Sequence, residues 1–218
     1  MHIFISNRIE SHYTYVSGGV YLKIDLTCPI EIRGYELTCD EEGGARAYIR
    51  MNNLAAHPIS RFDAVACWSN SQTGQSEAQT FRVDQLDADA RSEFPFTLAA
   101  FAVPHADTVD IHFNRVRFAD GTADWIGGQA ETIDIDELPL LSEEESDLLC
   151  DIAGDDAVRF SELHEKHWVC VCGRANYLHH ETCSRCGRER DEVLNQCSRE
   201  NILSRKTVRP YAAENDSL

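Results

Sequence analysis

The chain has 218 residues, 43 % of them apolar and 26 % charged, which suits a globular protein with a useful core and room for a small second domain. Its net charge of −17 lies upstream: residues 1–167 hold 12 Lys/Arg against 30 Asp/Glu, while residues 168–209 hold 8 against 5. Such a body repels phosphate backbones, no apolar run approaches the roughly 20 residues needed to cross a bilayer, and MHIFISNRIESHYTY lacks the basic start and apolar stretch of a signal peptide. A cytoplasmic protein with no membrane partner is expected.

Residues from about 20 to 127 read as β. Ala45, Ala47, Ile49 and Met51 alternate with Arg46, Tyr48 and Arg50; Phe62, Ala64, Ala66 and Trp68 repeat the pattern, as do Val109, Ile111 and Phe113. After Arg115 the apolar phase moves to Val116 and Phe118, which predicts a β-bulge. Breaks fall at Glu42-Gly43-Gly44, His57-Pro58, Ser71 to Gly74, Val103-Pro104-His105 and Asp120-Gly121. The expectation is mainly β: an immunoglobulin-like antiparallel β-sandwich over 1–130, of about seven or eight strands, with a barrel as the alternative.

Residues 131–167 read as an acidic helical bridge. Residues 131–157 carry 11 Asp/Glu and no Lys or Arg. Ser142 and Glu145 have capping-box spacing, Leu148, Leu149 and Ile152 make an apolar side, and Gly154 is a stop. A second short helix is expected from Asp156 to about Glu165, with Val158, Phe160 and Leu163 inward. Residues 191–218 read as a basic helix and a flexible tail.

Nine cysteines cannot all pair with one another. Cys28, Cys39, Cys67, Cys150 and Cys197 are scattered and read as reduced thiols. Cys170-x-Cys172, ten residues, then Cys183-x-x-Cys186 is the spacing of a structural zinc site. Gly173 and Gly187 each follow a ligand pair, where positive φ turns backbone amides toward the thiolates. A segment this short has almost no apolar core. One structural Zn2+ per chain, worth on the order of 10–16 kcal/mol, would supply its order.

Trp168-x-Cys170, Cys172-Gly-x-x-Asn176, six residues, then Cys183-x-x-Cys186-Gly-Arg188 resembles the Ran-binding-protein type zinc finger over residues 168–190. The family usually spaces its first pair by two to four residues, so a spacing of one predicts a tighter first knuckle. The resemblance implies zinc held between two short crossed β-hairpins, a loop braced by Asn176, and a flat Trp168 face for a ligand. It implies either of two partners, ubiquitin or single-stranded RNA. Gly173-Arg174 replaces the Thr-Phe of the ubiquitin-binding branch, which argues against ubiquitin. His179 and His180 replace the paired arginines of the RNA-binding branch, and histidine cannot make the forked contact to guanine. The β body faintly resembles domains beside zinc knuckles in bacterial proteins of unknown function.

No nucleophile elbow, phosphate loop, His-Glu-x-x-His or dinucleotide fingerprint occurs, so a non-enzymatic interaction protein is expected. Its partner-binding face would be Trp168, Arg174, Asn176, Tyr177, His179, His180, Arg185 and Arg188. A protein partner is the first expectation and single-stranded RNA the second. The third is a purely structural zinc, with function on the sandwich.

Overall fold

A computed structural model describes residues 13–19, 23–100, 103–128, 132–134 and 141–206. They fall into two compact units, the first ending at Asp134 and the second starting at Ile135.

In the first unit the described strands are β1 (Tyr13–Gly19), β2 (Lys23–Asp25), β3 (Ile30–Asp40), β4 (Ala45–Asn53), β5 (Ile59–Ser69), β6 (Ser76–Ala88), β7 (Glu93–Ala100), β8 (Thr108–Phe118), β9 (Trp125–Ile126) and β10 (Thr132–Asp134). One sheet runs β1-β3-β4-β7 and a second β6-β5-β8-β9, while β10 pairs with β2. All these pairings are antiparallel. Hairpins β3–β4, β5–β6 and β8–β9 stay within one sheet, and the chain changes sheet between β4 and β5, β6 and β7, and β7 and β8. This connectivity is compatible with the immunoglobulin-like pattern.

Side-chain alternation explains why the sheets stack. Ala45, Ala47, Ile49 and Met51 are at most 1 % exposed, and Phe62, Ala64, Ala66 and Trp68 at most 2 %. Their faces meet in one core. Phe62 of β5 packs edge-on to Phe96 of β7 at 5.6 Å between ring centroids, so the two sheets face each other. The bulge is where the apolar phase changes: Ala64 pairs with Phe113 but Asp63 with Arg115, leaving Asn114 as the extra residue. Pro95, which has no amide to donate, sits in β7 at the rim of its sheet. The edge strand β1 begins upstream of the expected β region.

The second unit contains α1 (Glu143–Ala153), β11 (Glu162–Leu163), β12 (His167–Val169), β13 (Ala175–Tyr177), α2 (Arg190–Gln196) and α3 (Arg199–Lys206). The capping box is formed: Ser142 Oγ accepts from the Glu145 amide at 3.2 Å, and Glu145 Oε2 accepts from the Ser142 amide at 3.0 Å. Gly154 ends α1 at φ +93°.

The helix expected over 156–165 does not form. The amides of Val158 and Arg159 bond to Val171 O, and the Ser161 amide bonds to Cys197 O, so tertiary partners take the donors a helix would need. Phe160 is buried as expected, but Val158 and Leu163 are exposed. The expected single basic helix is two, α2 and α3, broken at Cys197 and Ser198. Residues 207–218, which hold the end of the expected helix and the tail expected over 212–218, lie outside the described residues. No helix among the described residues is long and apolar enough to cross a membrane.

Candidate metal centre

Strands β12 and β13 form a hairpin whose turn carries Cys170 and Cys172. The second pair, Cys183 and Cys186, lies in a turn closed by an antiparallel bridge between Thr182 and Glu189. The knuckles differ by one residue in both of their closing bonds. Cys170 donates to Arg174 O at 2.9 Å and Gly173 to Cys170 O at 2.8 Å. In the second knuckle Cys183 donates to Arg188 O at 2.8 Å and Gly187 to Cys183 O at 2.9 Å. The shorter Cys-x-Cys spacing is therefore met by a tighter turn. Gly173 and Gly187 adopt φ +86° and +76°, the left-handed region that β-carbons disfavour.

The two turns bring all four sulfurs within 4.8 Å of one another. Cys170 and Cys186 are 3.6 Å apart, and Cys172 and Cys183 are 3.7 Å apart. A tetrahedron with Zn–S near 2.3 Å has edges of about 3.8 Å, so these sulfurs stand where a tetrahedral cation needs them. Contact with Cys172 pushes the Cys170 thiol up, while contact with Cys170 draws those of Cys183 and Cys186 down. Four bare thiolate charges this close repel one another. A divalent cation resolves the conflict by taking four thiolates. The residues fit a structural metal, and an all-sulfur tetrahedron is consistent with zinc or iron.

The cysteines stand inside a core. Cys170, Cys172 and Cys183 pack with Leu149 of α1, Phe160, Trp168, Val193 of α2 and Ile202 of α3.

That packing relocates several residues expected on a partner face. Trp168 is 0 % exposed, and its Nε1 donates to His180 O at 3.1 Å. It therefore offers no flat face to a ligand. Arg174 and Asn176 are also buried. Asn176 does brace the loop: its Oδ1 accepts from the Ser184 amide at 2.9 Å and from Ser184 Oγ at 3.0 Å, and its Nδ2 donates to Arg174 O. Arg174 Nε donates to Ser184 Oγ at 3.2 Å. Arg185 bonds Cys172 O, and Arg188 bonds Asp156 and Ala153 O. These arginines are tied into the unit.

No family model matches the chain, and no curated protein or solved structure shows significant similarity to it. The likeness to the Ran-binding-protein finger therefore rests on the residues of 168–190 alone.

Tyr177, His179 and His180 remain toward solvent beside the exposed Leu178. Tyr177 stacks on His179 at 5.2 Å and meets His180 edge-on at 5.4 Å. His164 and His167 stack at 4.4 Å, and His164 Nε2 lies 3.1 Å from Glu162 Oε2. Sequence reasoning missed the joining of α1, α2 and α3 to the cysteine core. The signal was Phe160, Val193 and Ile202, apolar residues flanking a finger that buries little by itself.

Proposed function

We propose that this protein is a non-enzymatic interaction protein whose C-terminal unit is stapled by one Zn2+ at Cys170, Cys172, Cys183 and Cys186. The observation that carries this reading is the convergence of four cysteine sulfurs in the middle of a core shared by every described helix of the unit. The zinc is structural: four protein donors complete a tetrahedron and leave no open position for chemistry. A protein partner docks on the exposed His179 and Leu178 and the half-buried rings of Tyr177 and His180 beside them.

The single-stranded RNA reading loses its main support with Trp168 buried and Arg185 and Arg188 bonded inward. Tyr177 and His179 are the remaining stacking surfaces for that alternative.

The test is metal analysis of the chain purified without added metal, joined to binding assays with Tyr177→Ala/His179→Ala. One zinc per chain, with partner recovery lost in that variant, supports the proposal. A metal-free folded unit defeats the staple. Saturable binding of short single-stranded RNA by the zinc-loaded chain, lost in the same variant, replaces the protein partner with RNA.

A further inference from the structure

The four ligands are unequally sheltered. Cys170, Cys172 and Cys183 are 0, 3 and 0 % exposed, whereas Cys186 is half-buried. Metal–thiolate sulfur remains nucleophilic, so reagents in solution select among ligands by access. Cys170 Sγ, across the gap between the knuckles, lies 3.6 Å from Cys186 Sγ.

We infer that Cys186 is a site of oxidative modification, at which hydrogen peroxide discharges the metal and leaves a Cys170–Cys186 disulfide. The inference rests on the metal reading above. In the first step the Cys186 thiolate attacks a peroxide oxygen: an S–O bond forms, the O–O bond breaks, and hydroxide leaves and is protonated to water. The product is a sulfenic acid at Cys186. In the second step the Cys170 thiolate attacks Cys186 sulfur: an S–S bond forms, the S–O bond breaks, and a second hydroxide becomes water. Two thiolates lose two electrons and one peroxide gains them, with two protons drawn from solvent. The cation, left with two of its four donors, departs. Cys172 and Cys183, 3.7 Å apart, can repeat the sequence with a second peroxide.

The new bond spans the same two knuckles the metal spanned. Oxidation therefore exchanges an ionic staple for a covalent one between knuckles that are already neighbours. A thiol reductant restores the ligands.

The experiment uses the full chain as purified, with its metal content measured first. One equivalent of hydrogen peroxide is added beside a chromogenic chelator, and the products are mapped by non-reducing digestion and mass spectrometry. The expected result is zinc release in step with a Cys170–Cys186 cross-link, a dimedone adduct trapped at Cys186, and recovery of zinc binding after reduction. Cys67→Ser/Cys150→Ser, which removes two other half-buried thiols, should release zinc at the unaltered rate. Cys186→His, which keeps a ligand but removes the accessible sulfur, should hold one zinc and release it several-fold more slowly. Zinc retained while Cys67 or Cys150 is oxidised, or a Cys183–Cys186 cross-link, overturns the inference. A chain that binds no metal when supplied with zinc defeats the metal reading itself and is seen before peroxide is added. Should Cys186→His fail to bind zinc, the wild-type cross-link map still decides.

Discussion

Arg188, directly beyond the second knuckle, reaches back 32 residues to Asp156, donating from Nη1 to Oδ2 at 2.8 Å while Nη2 also bonds Ala153 O at the end of α1. The guanidinium holds the Asp156 carboxyl below the usual carboxylate range, and the carboxylate raises Arg188 in turn. One side chain thus fastens the last residue of α1 to the metal turn.

Asp156→Asn should cost at most about 1 kcal/mol, because the Asp156 carboxylate is more than half exposed and solvent screens the pair. Arg188→Ala should cost more, since Ala153 O also loses a donor. The pair's stabilisation is present above the carboxyl's unfolded value and declines as pH falls through its lower folded value. Urea melts of wild type and Asp156→Asn should therefore diverge at neutral pH and converge in acid.

Removing the metal should unfold one unit and leave the other. Chelation, or Cys183→Ser, should shift Trp168 emission to the red as its core opens, with a loss on the order of 10–16 kcal/mol of metal-linked free energy. The sandwich core around Trp68 should keep its β spectrum, since its residues are all contributed upstream of the metal unit. Circular dichroism and fluorescence recorded on one sample check both parts.

Phe62→Ala probes the converse. Phe62 is fully buried and packs edge-on against Phe81, Phe96 and Phe113. Its loss should destabilise the sandwich by about 3–5 kcal/mol. Zinc per chain should be unchanged by atomic absorption.

Gly187→Ala isolates backbone strain at the second knuckle. A β-carbon there would meet nothing within 4 Å, so the φ of +76° is the whole obstacle. The cost should be about 1–2 kcal/mol, read as weaker zinc affinity in a chelator competition. Gly187→Asn should recover part of it, because asparagine tolerates that region.

Ser142→Ala should remove the cap of α1 and cost about 1 kcal/mol in the second unit. Differential scanning of the zinc-loaded chain should show that transition moving down while the sandwich transition stays.

Features that depend on near neighbours in the chain were legible from the sequence. The alternation of Ala45 to Met51 placed β4, the phase change before Val116 placed the bulge, and Ser142, Glu145 and Gly154 marked both ends of α1. The cysteine spacing marked the metal ligands for the same reason, since each pair needs only its own turn. What long-range partners decide was not legible. Val158, Phe160 and Leu163 have spacing that suits a short helix, but Val171 O and Cys197 O claim the nearby amides. The resemblance to the Ran-binding-protein finger implied a ligand platform at Trp168, yet the helices that help cover it come from both sides of the finger. Strand β1 gave no signal because Tyr15 and Val16 lie exposed at an edge, without the alternation that burial imposes.

The pairing of β2 with β10 bears on how the protein is made. That pair needs residues 132–134, and with them the last strand of the first unit is in hand. All four cysteines of the metal centre, and the helix carrying Ile202, come later in the chain. During synthesis from the N-terminus, the sandwich can close before the first ligand exists. On the proposed zinc reading, metal capture would be a separate step after closure of the sandwich, and a shortage of zinc would leave nascent chains with a folded first unit and an unfolded second.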